Sequence, residues 1–105
     1  MRRTIHVVPH SHWDREWYFT TSRSKVYLMK DLADVLDTLE KNPDFKTWML
    51  DGQAFLLDDY LAWRPQDESR IRTLVCDGRL VVGPWYTQTD EMLASGESIV
   101  RNLFY

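Results

Sequence analysis

Apolar positions along the chain change their spacing several times, and each change predicts an element. Thr4–Pro9 is a short apolar, β-branched run, which reads as a buried strand that stops pairing at Pro9 because proline has no N–H to donate. From Leu28 the period becomes three and four: Leu28, Met29, Leu32, Val35, Leu36 and Leu39 form one stripe about three turns long. Ser22 or Ser24 is the candidate cap, and Asn42-Pro43 ends the helix because a residue before proline is pushed out of the helical region. Phe45–Leu50 reads as a second strand bounded by Asp51-Gly52, and Ala54–Trp63 as a helix broken by Arg64-Pro65. A further helix runs from Pro65 to Cys76 with Ile71, Leu74 and Val75 on its buried side. Asp77-Gly78 closes it, Leu80–Gly83 is a third strand, and "PWYTQTDEM" is the loop beyond. Ser95 caps a last helical pattern carrying Ile99, Val100, Leu103 and Phe104, still running at Tyr105.

Strands alternating with helices predict an α/β fold with parallel strands and helical crossovers. Three strands are few for a parallel sheet, which is normally covered on both faces. The expectation is therefore that residues 1–105 are the front of a longer chain, with no internal domain boundary. Open strand edges and an uncovered apolar face (Val7, Val8, Trp48, Leu50, Val81, Val82) further predict that these residues alone self-associate or partly unfold.

Composition changes this picture little. The 105 residues are 44% apolar and 28% charged, with a net charge of −3, an ordinary globular balance. With no basic patch there is no electrostatic footprint for nucleic acid. No run approaches the roughly 18 apolar residues of a spanning helix, so no membrane partner is expected. Cys76 is alone, so no intrachain disulfide forms, and a cytoplasmic location is the default expectation.

The chemistry concentrates in "PHSHWDREWY", Pro9–Tyr18, directly after the first expected strand. In extended backbone His10, His12 and Asp14 share one face. Imidazole and carboxylate are both good zinc ligands, and parallel α/β folds bind ligands beyond the carboxyl ends of their strands. Trp85-Tyr86 with Asp90-Glu91 forms a second polar and aromatic group after the third strand. By residue type alone other readings stay open. The histidines serve as well for capping, Trp13, Trp17 and Trp85 for core, and Asp90-Glu91 for a solvated turn.

The stretch "VVPHSHWDREW" closely resembles the N-terminal signature of glycoside hydrolase family 38, the retaining α-mannosidases, and "GPWYTQTDEM" is similar to a second segment of that family. The resemblance spans nearly all of the chain and is most specific in the first motif. It implies that residues 1–105 are the first β-α units of a larger parallel α/β barrel, and that one zinc ion sits in its active site, with His12 and Asp14 as two of its ligands and His10 not among them. It implies that Trp17 lies at the sugar subsite, with Trp85 and Asp90 as further substrate-binding candidates. The family's zinc binds hydroxyls of the mannose being cleaved, which anchors the ring. Retaining hydrolysis needs a nucleophilic carboxylate and a second acid/base carboxylate, roughly 5–5.5 Å apart. The family nucleophile stands in a "DPFGH"-like motif that this sequence lacks, so the catalytic carboxylates are expected beyond Tyr105. The chain alone is expected to be inactive, and an α-mannoside is the expected substrate of the whole enzyme.

Two rivals remain. A His-x-His after a first strand also resembles amidohydrolase and phosphoesterase barrels, in which His10 and His12 would both bind metal. The other is a non-catalytic carbohydrate-binding module. Which pair ligates, His12 with Asp14 or His10 with His12, separates the first rival from the mannosidase reading.

Overall fold

The computed structural model describes residues 2–105. Helix α1 spans Thr21–Lys41 and lays Leu28, Leu32, Leu36 and Leu39 against the rest of the chain, all at or below 3% exposure. Strand β1 (Trp48–Met49) follows, then α2 (Phe55–Leu61), a 3₁₀ turn (Pro65–Asp67), α3 (Glu68–Cys76), strand β2 (Leu80–Val81) and α4 (Gly96–Leu103). The core joins the leucines of α1 to Leu50, to Phe55, Leu56 and Tyr60 of α2, to Ile71 and Leu74 of α3, and to Leu80. Each fully buried leucine contributes about 1.5–3 kcal/mol relative to an exposed one. The α1 stripe is therefore the largest single contribution to that core.

The helix ends follow local chemistry. Thr20, not Ser22 or Ser24, caps α1, its side chain accepting from the Arg23 N–H. Ser24 is buried one turn into the helix, where its hydroxyl donates to the Arg15 carbonyl at 2.5 Å. At the other end Asn42 is extended, as the following proline requires. Gly78 at φ 68° closes α3 beyond Asp77. Ser95 caps α4, accepting from Ser98 N–H at 3.2 Å. Helix α4 stops at Leu103 rather than running on, and it has no buried residue: Val100, Leu103 and the following Phe104 are exposed and Ile99 is half-buried.

The strands are shorter than their apolar runs. β1 and β2 pair in parallel, Trp48 beside Leu80 and Met49 beside Val81, with α2 and α3 forming the crossover. The expected first strand at Thr4–Pro9 is not formed: Ile5, Val7 and Val8 are exposed, and pairing begins only at a parallel bridge from His10 to Met49. There the Pro9 carbonyl accepts from Met49 N–H at 3.0 Å, and Ser11 N–H donates to the Met49 carbonyl at 3.1 Å. Two further contacts correct the expected strand bounds. Leu50 leaves β1 to enter the core, 1% exposed, and a Gln53–Trp85 bridge carries the pairing past β2. The expected uncovered face is thus partly filled, since Leu50 is core and Trp48 and Val82 pack against it, whereas Val7, Val8 and Val81 are open. A two-stranded parallel sheet flanked by helices is an α/β arrangement.

Buried polar groups tie the helices together. The Tyr60 hydroxyl, fully buried, donates to Asp67 at 2.7 Å. Arg70 reaches from α3 to α1, donating to Glu40 at 2.8 and 2.7 Å and to Asp37 at 2.5 Å. Lys41 and Arg70 together hold the Asp37 carboxyl down at about 2. Burial first, then the hydrogen bond to Asp67, pushes the Tyr60 phenol up to about 12.

Candidate functional site

The site begins with strand register. Two residues beyond the parallel bridge of His10 to Met49, the His12 side chain meets that of Asp51 just past the carboxyl end of β1. There the His12 Nδ1 lies 2.5 Å from Asp51 Oδ2, while His10 Nδ1 lies 3.7 Å from the other oxygen, Oδ1. On the far side of the ring His12 Nε2 faces Asp14 Oδ1 at 3.6 Å. The imidazole thus stands between two carboxylates. Its pKa is raised, first by the Asp51 hydrogen bond, against a smaller opposing effect of burial, with the Asp14 charge adding to the rise.

The loop that carries Asp14 and Trp17 is tied down by the residues between and beside them. Arg15 donates to Asp59 of α2 at 3.1 Å and lies over the Phe55 ring at 5.3 Å from its centroid. Its carbonyl takes the Ser24 hydroxyl, and Glu16 accepts from the Thr21 hydroxyl at 2.8 Å. Lys25 adds a second cation to Asp59 at 2.8 Å. Burial alone would push the Asp59 carboxyl up, but the hydrogen bonds from Lys25 and Arg15 outweigh it and the net displacement is downward. Arg15-Glu16 therefore anchor the loop to two helices, leaving Asp14 and Trp17 free to face outward.

Two cavities open on this motif. One of about 380 Å³ is lined by His12, Asp14 and Trp17 together with Trp13, Tyr18, Phe19, Tyr27 and Asp31. Trp17 is 70% exposed and meets Tyr18 edge-on, with ring centroids 6.1 Å apart, so its face is presented to solvent rather than packed as core. A second cavity of about 250 Å³ brings Asp14 and Trp13 together with Gln53, Thr87 and Gln88. Among the expected site residues, His12, Asp14 and Trp17 thus share one cavity, and Trp85 and Asp90 line neither. Trp85 packs on Gly52, where a Cβ would sit 3.2 Å from the indole Cδ1. Asp90 caps its own turn, Oδ1 accepting from Met92 N–H at 3.1 Å. The segment after β2 instead meets the first motif through Thr87 and Gln88. Gln53 is 3% exposed, and its amide reaches Gln88 at 3.4 Å. Sequence reading passed over Asp51, Gln53 and Gln88. The signal available for Asp51 was its two-residue offset from Met49, readable only once the strand register is known.

Among the described residues no group of three or more histidine, cysteine, aspartate or glutamate side chains is arranged to hold a metal ion. His12 and Asp14 offer two donors. Ligands at zinc–donor distances of roughly 2.0–2.2 Å stand about 3.3–3.6 Å apart in a tetrahedron. The 3.6 Å between Nε2 and Oδ1 matches that edge and is longer than a hydrogen bond. The donor chemistry fits two positions of a zinc site that further ligands would complete. No helix among the described residues is long and apolar enough to cross a membrane.

Comparison with known proteins agrees with the motif. Residues 2–105 match the glycosyl hydrolases family 38 N-terminal domain. The chain is 45% identical over its whole length to 12% of the "Putative mannosylglycerate hydrolase" of Halalkalibacterium halodurans. Among solved structures, 91% of the chain superposes on an α-mannosidase from Enterococcus faecalis V583 at a TM-score of 0.86 and 44% identity, covering 11% of that chain. A second Enterococcus faecalis protein of glycosyl hydrolase family 38 gives 0.80 and 40% over the same shares. The chain thus spans about an eighth of the length of its relatives, and it belongs to glycosyl hydrolase family 38, within the N-terminal domain.

Proposed function

We propose that these residues form the front of the catalytic α/β barrel of a zinc-dependent retaining α-mannosidase, to which they contribute two metal ligands and a sugar platform. The observation that supports this best is the pairing of His12 Nε2 with Asp14 Oδ1 at ligand spacing, in the same cavity as an exposed tryptophan face. Zinc, when bound, supplies a Lewis acid that anchors and polarises substrate oxygens. His12 and Asp14 would hold it, with further ligands from the rest of the enzyme. The Trp17 ring offers the apolar face on which a pyranose stacks, and Tyr18 braces it from the edge. Gln53 and Gln88 line the second cavity beside Asp14. The nucleophile and acid/base carboxylates come from elsewhere in the enzyme. The substrate class is an α-mannoside, and a relative's name makes mannosylglycerate the first compound to try.

The test uses the full-length enzyme against an aryl α-mannoside and against mannosylglycerate. His12→Ala and Asp14→Ala should each abolish turnover of whichever is cleaved, with the fold intact by circular dichroism, and His10→Ala should retain it. Activity lost in His10→Ala and kept in Asp14→Ala would favour the amidohydrolase-like pair, His10 with His12.

A further inference from the structure

We propose that Asp51 is a positioning residue that orients the His12 ring and sets which of its nitrogens faces the metal. The inference rests on the reading of His12 as a ligand. A carboxylate only accepts, so at 2.5 Å from Asp51 Oδ2 the His12 Nδ1 carries the proton and donates it. A neutral imidazole has one donor and one acceptor, and the lone pair is then left on Nε2, the nitrogen that faces Asp14 at ligand spacing. A second carboxylate behind a ligating histidine fixes its tautomer and ring angle and raises its basicity.

The backbone places Asp51 for this task. It stands at φ 50°, a left-handed conformation uncommon for any residue but glycine and least unfavourable for asparagine and aspartate. The turn is held on both sides. Leu50 before it is core, Gln53 N–H donates to the Leu50 carbonyl at 3.0 Å, and Gly52 after it is wedged under Trp85. The same strand end also fixes the His12 segment, through the Pro9 and Ser11 hydrogen bonds to Met49. Both partners of the His12–Asp51 bond therefore hang from one strand, two residues beyond the same bridge. The Asp51 side chain is 22% exposed, and its other oxygen lies 3.7 Å from His10 Nδ1. An aspartate needed only for its turn could be replaced by glycine without loss. One needed for His12 could not.

That contrast is the experiment. Full-length protein is stripped of metal, and zinc affinity is measured by chelator competition for wild type, Asp51→Gly, Asp51→Asn and His12→Ala, alongside the apo melting curve of each. Asp51→Gly deletes the carboxylate where glycine suits the backbone, so the apo melt should be unchanged while zinc binding weakens 10–100-fold. Asparagine keeps an oxygen that can accept from Nδ1–H but loses the charge, so it should restore part of the affinity. Wild-type zinc affinity in Asp51→Gly, with affinity lost in His12→Ala, overturns the role of Asp51 and leaves the metal reading standing. Unchanged affinity in His12→Ala overturns the metal reading itself. If Asp51→Gly does not fold, Asp51→Asn decides: zinc weakened severalfold supports the role, and affinity equal to wild type overturns it.

Discussion

Replacing Tyr60 by phenylalanine removes one oxygen from the middle of the helical layer and leaves the ring in place. Tyr60 has no exposed surface, and its hydroxyl donates at 2.7 Å to Asp67, itself 9% exposed. A hydrogen bond to a charged group contributes about 1.5–3 kcal/mol, and orphaning a buried acceptor costs on the same scale. Arg70 stands 3.6 Å from the other Asp67 oxygen and softens the loss, so about 2 kcal/mol is the expected destabilisation. The phenol titration reports on the same buried hydroxyl through the pH dependence of stability. Its pKa rises from 10.0 to about 12 in the folded state, because burial and Asp67 both disfavour the phenolate. A raised folded pKa means stability that is complete below the unfolded value and is lost as pH climbs through the folded one. The window is therefore pH 10 to 12, and two units correspond to roughly 2–3 kcal/mol. Urea denaturation of wild type and Tyr60→Phe, followed by tryptophan fluorescence at pH 7 and at steps up to pH 12, measures both. Wild type should lose stability across that window, and Tyr60→Phe should start lower and lose less. A variant within 0.5 kcal/mol of wild type at pH 7, with the same alkaline slope, would refute the argument.

Leu36→Ala, at a site with no exposed surface, should cost about 2–5 kcal/mol by urea denaturation, since it leaves a cavity between α1 and its neighbours. The Asp37 carboxyl, held at about 2 by Lys41 and Arg70, contributes stability above the unfolded value of 3.8 that is lost as pH falls through the folded one. An NMR titration should find its midpoint near 2 at low salt and closer to ordinary at 1 M salt, because the group is open to solvent. The open Ile5, Val7, Val8 and α4 surfaces should make the isolated 105-residue chain self-associate at micromolar concentration. A single monomeric species in sedimentation would contradict that.

Helix punctuation was the most readable part of the sequence. Asn42-Pro43, Asp77-Gly78 and Ser95 each work through one or two residues, and each sits where the sequence predicts. The strands were less readable because apolarity marks what a run is suited to bury against, not whether a partner is present. Thr4–Val8 has the composition of a buried strand, yet it lies exposed with no ladder. Ser24 misled as a cap because its hydroxyl serves the Arg15 carbonyl from within the helix. The first motif was legible because its residue types are rare together, and His12, Asp14 and Trp17 do line one cavity. Asp51 was not, because in sequence Asp51-Gly52 reads only as a boundary. Its second role depends on a parallel register with a segment 39 positions away.

The central claim is that His12 and Asp14 bind one zinc ion in the full-length enzyme. A crystal of that enzyme measured on both sides of the zinc absorption edge tests it most directly. The account predicts one anomalous peak roughly 2.0–2.2 Å from both His12 Nε2 and an Asp14 carboxylate oxygen. A peak held by His10 and His12 instead, or a zinc-loaded crystal with no peak at Asp14, would contradict it.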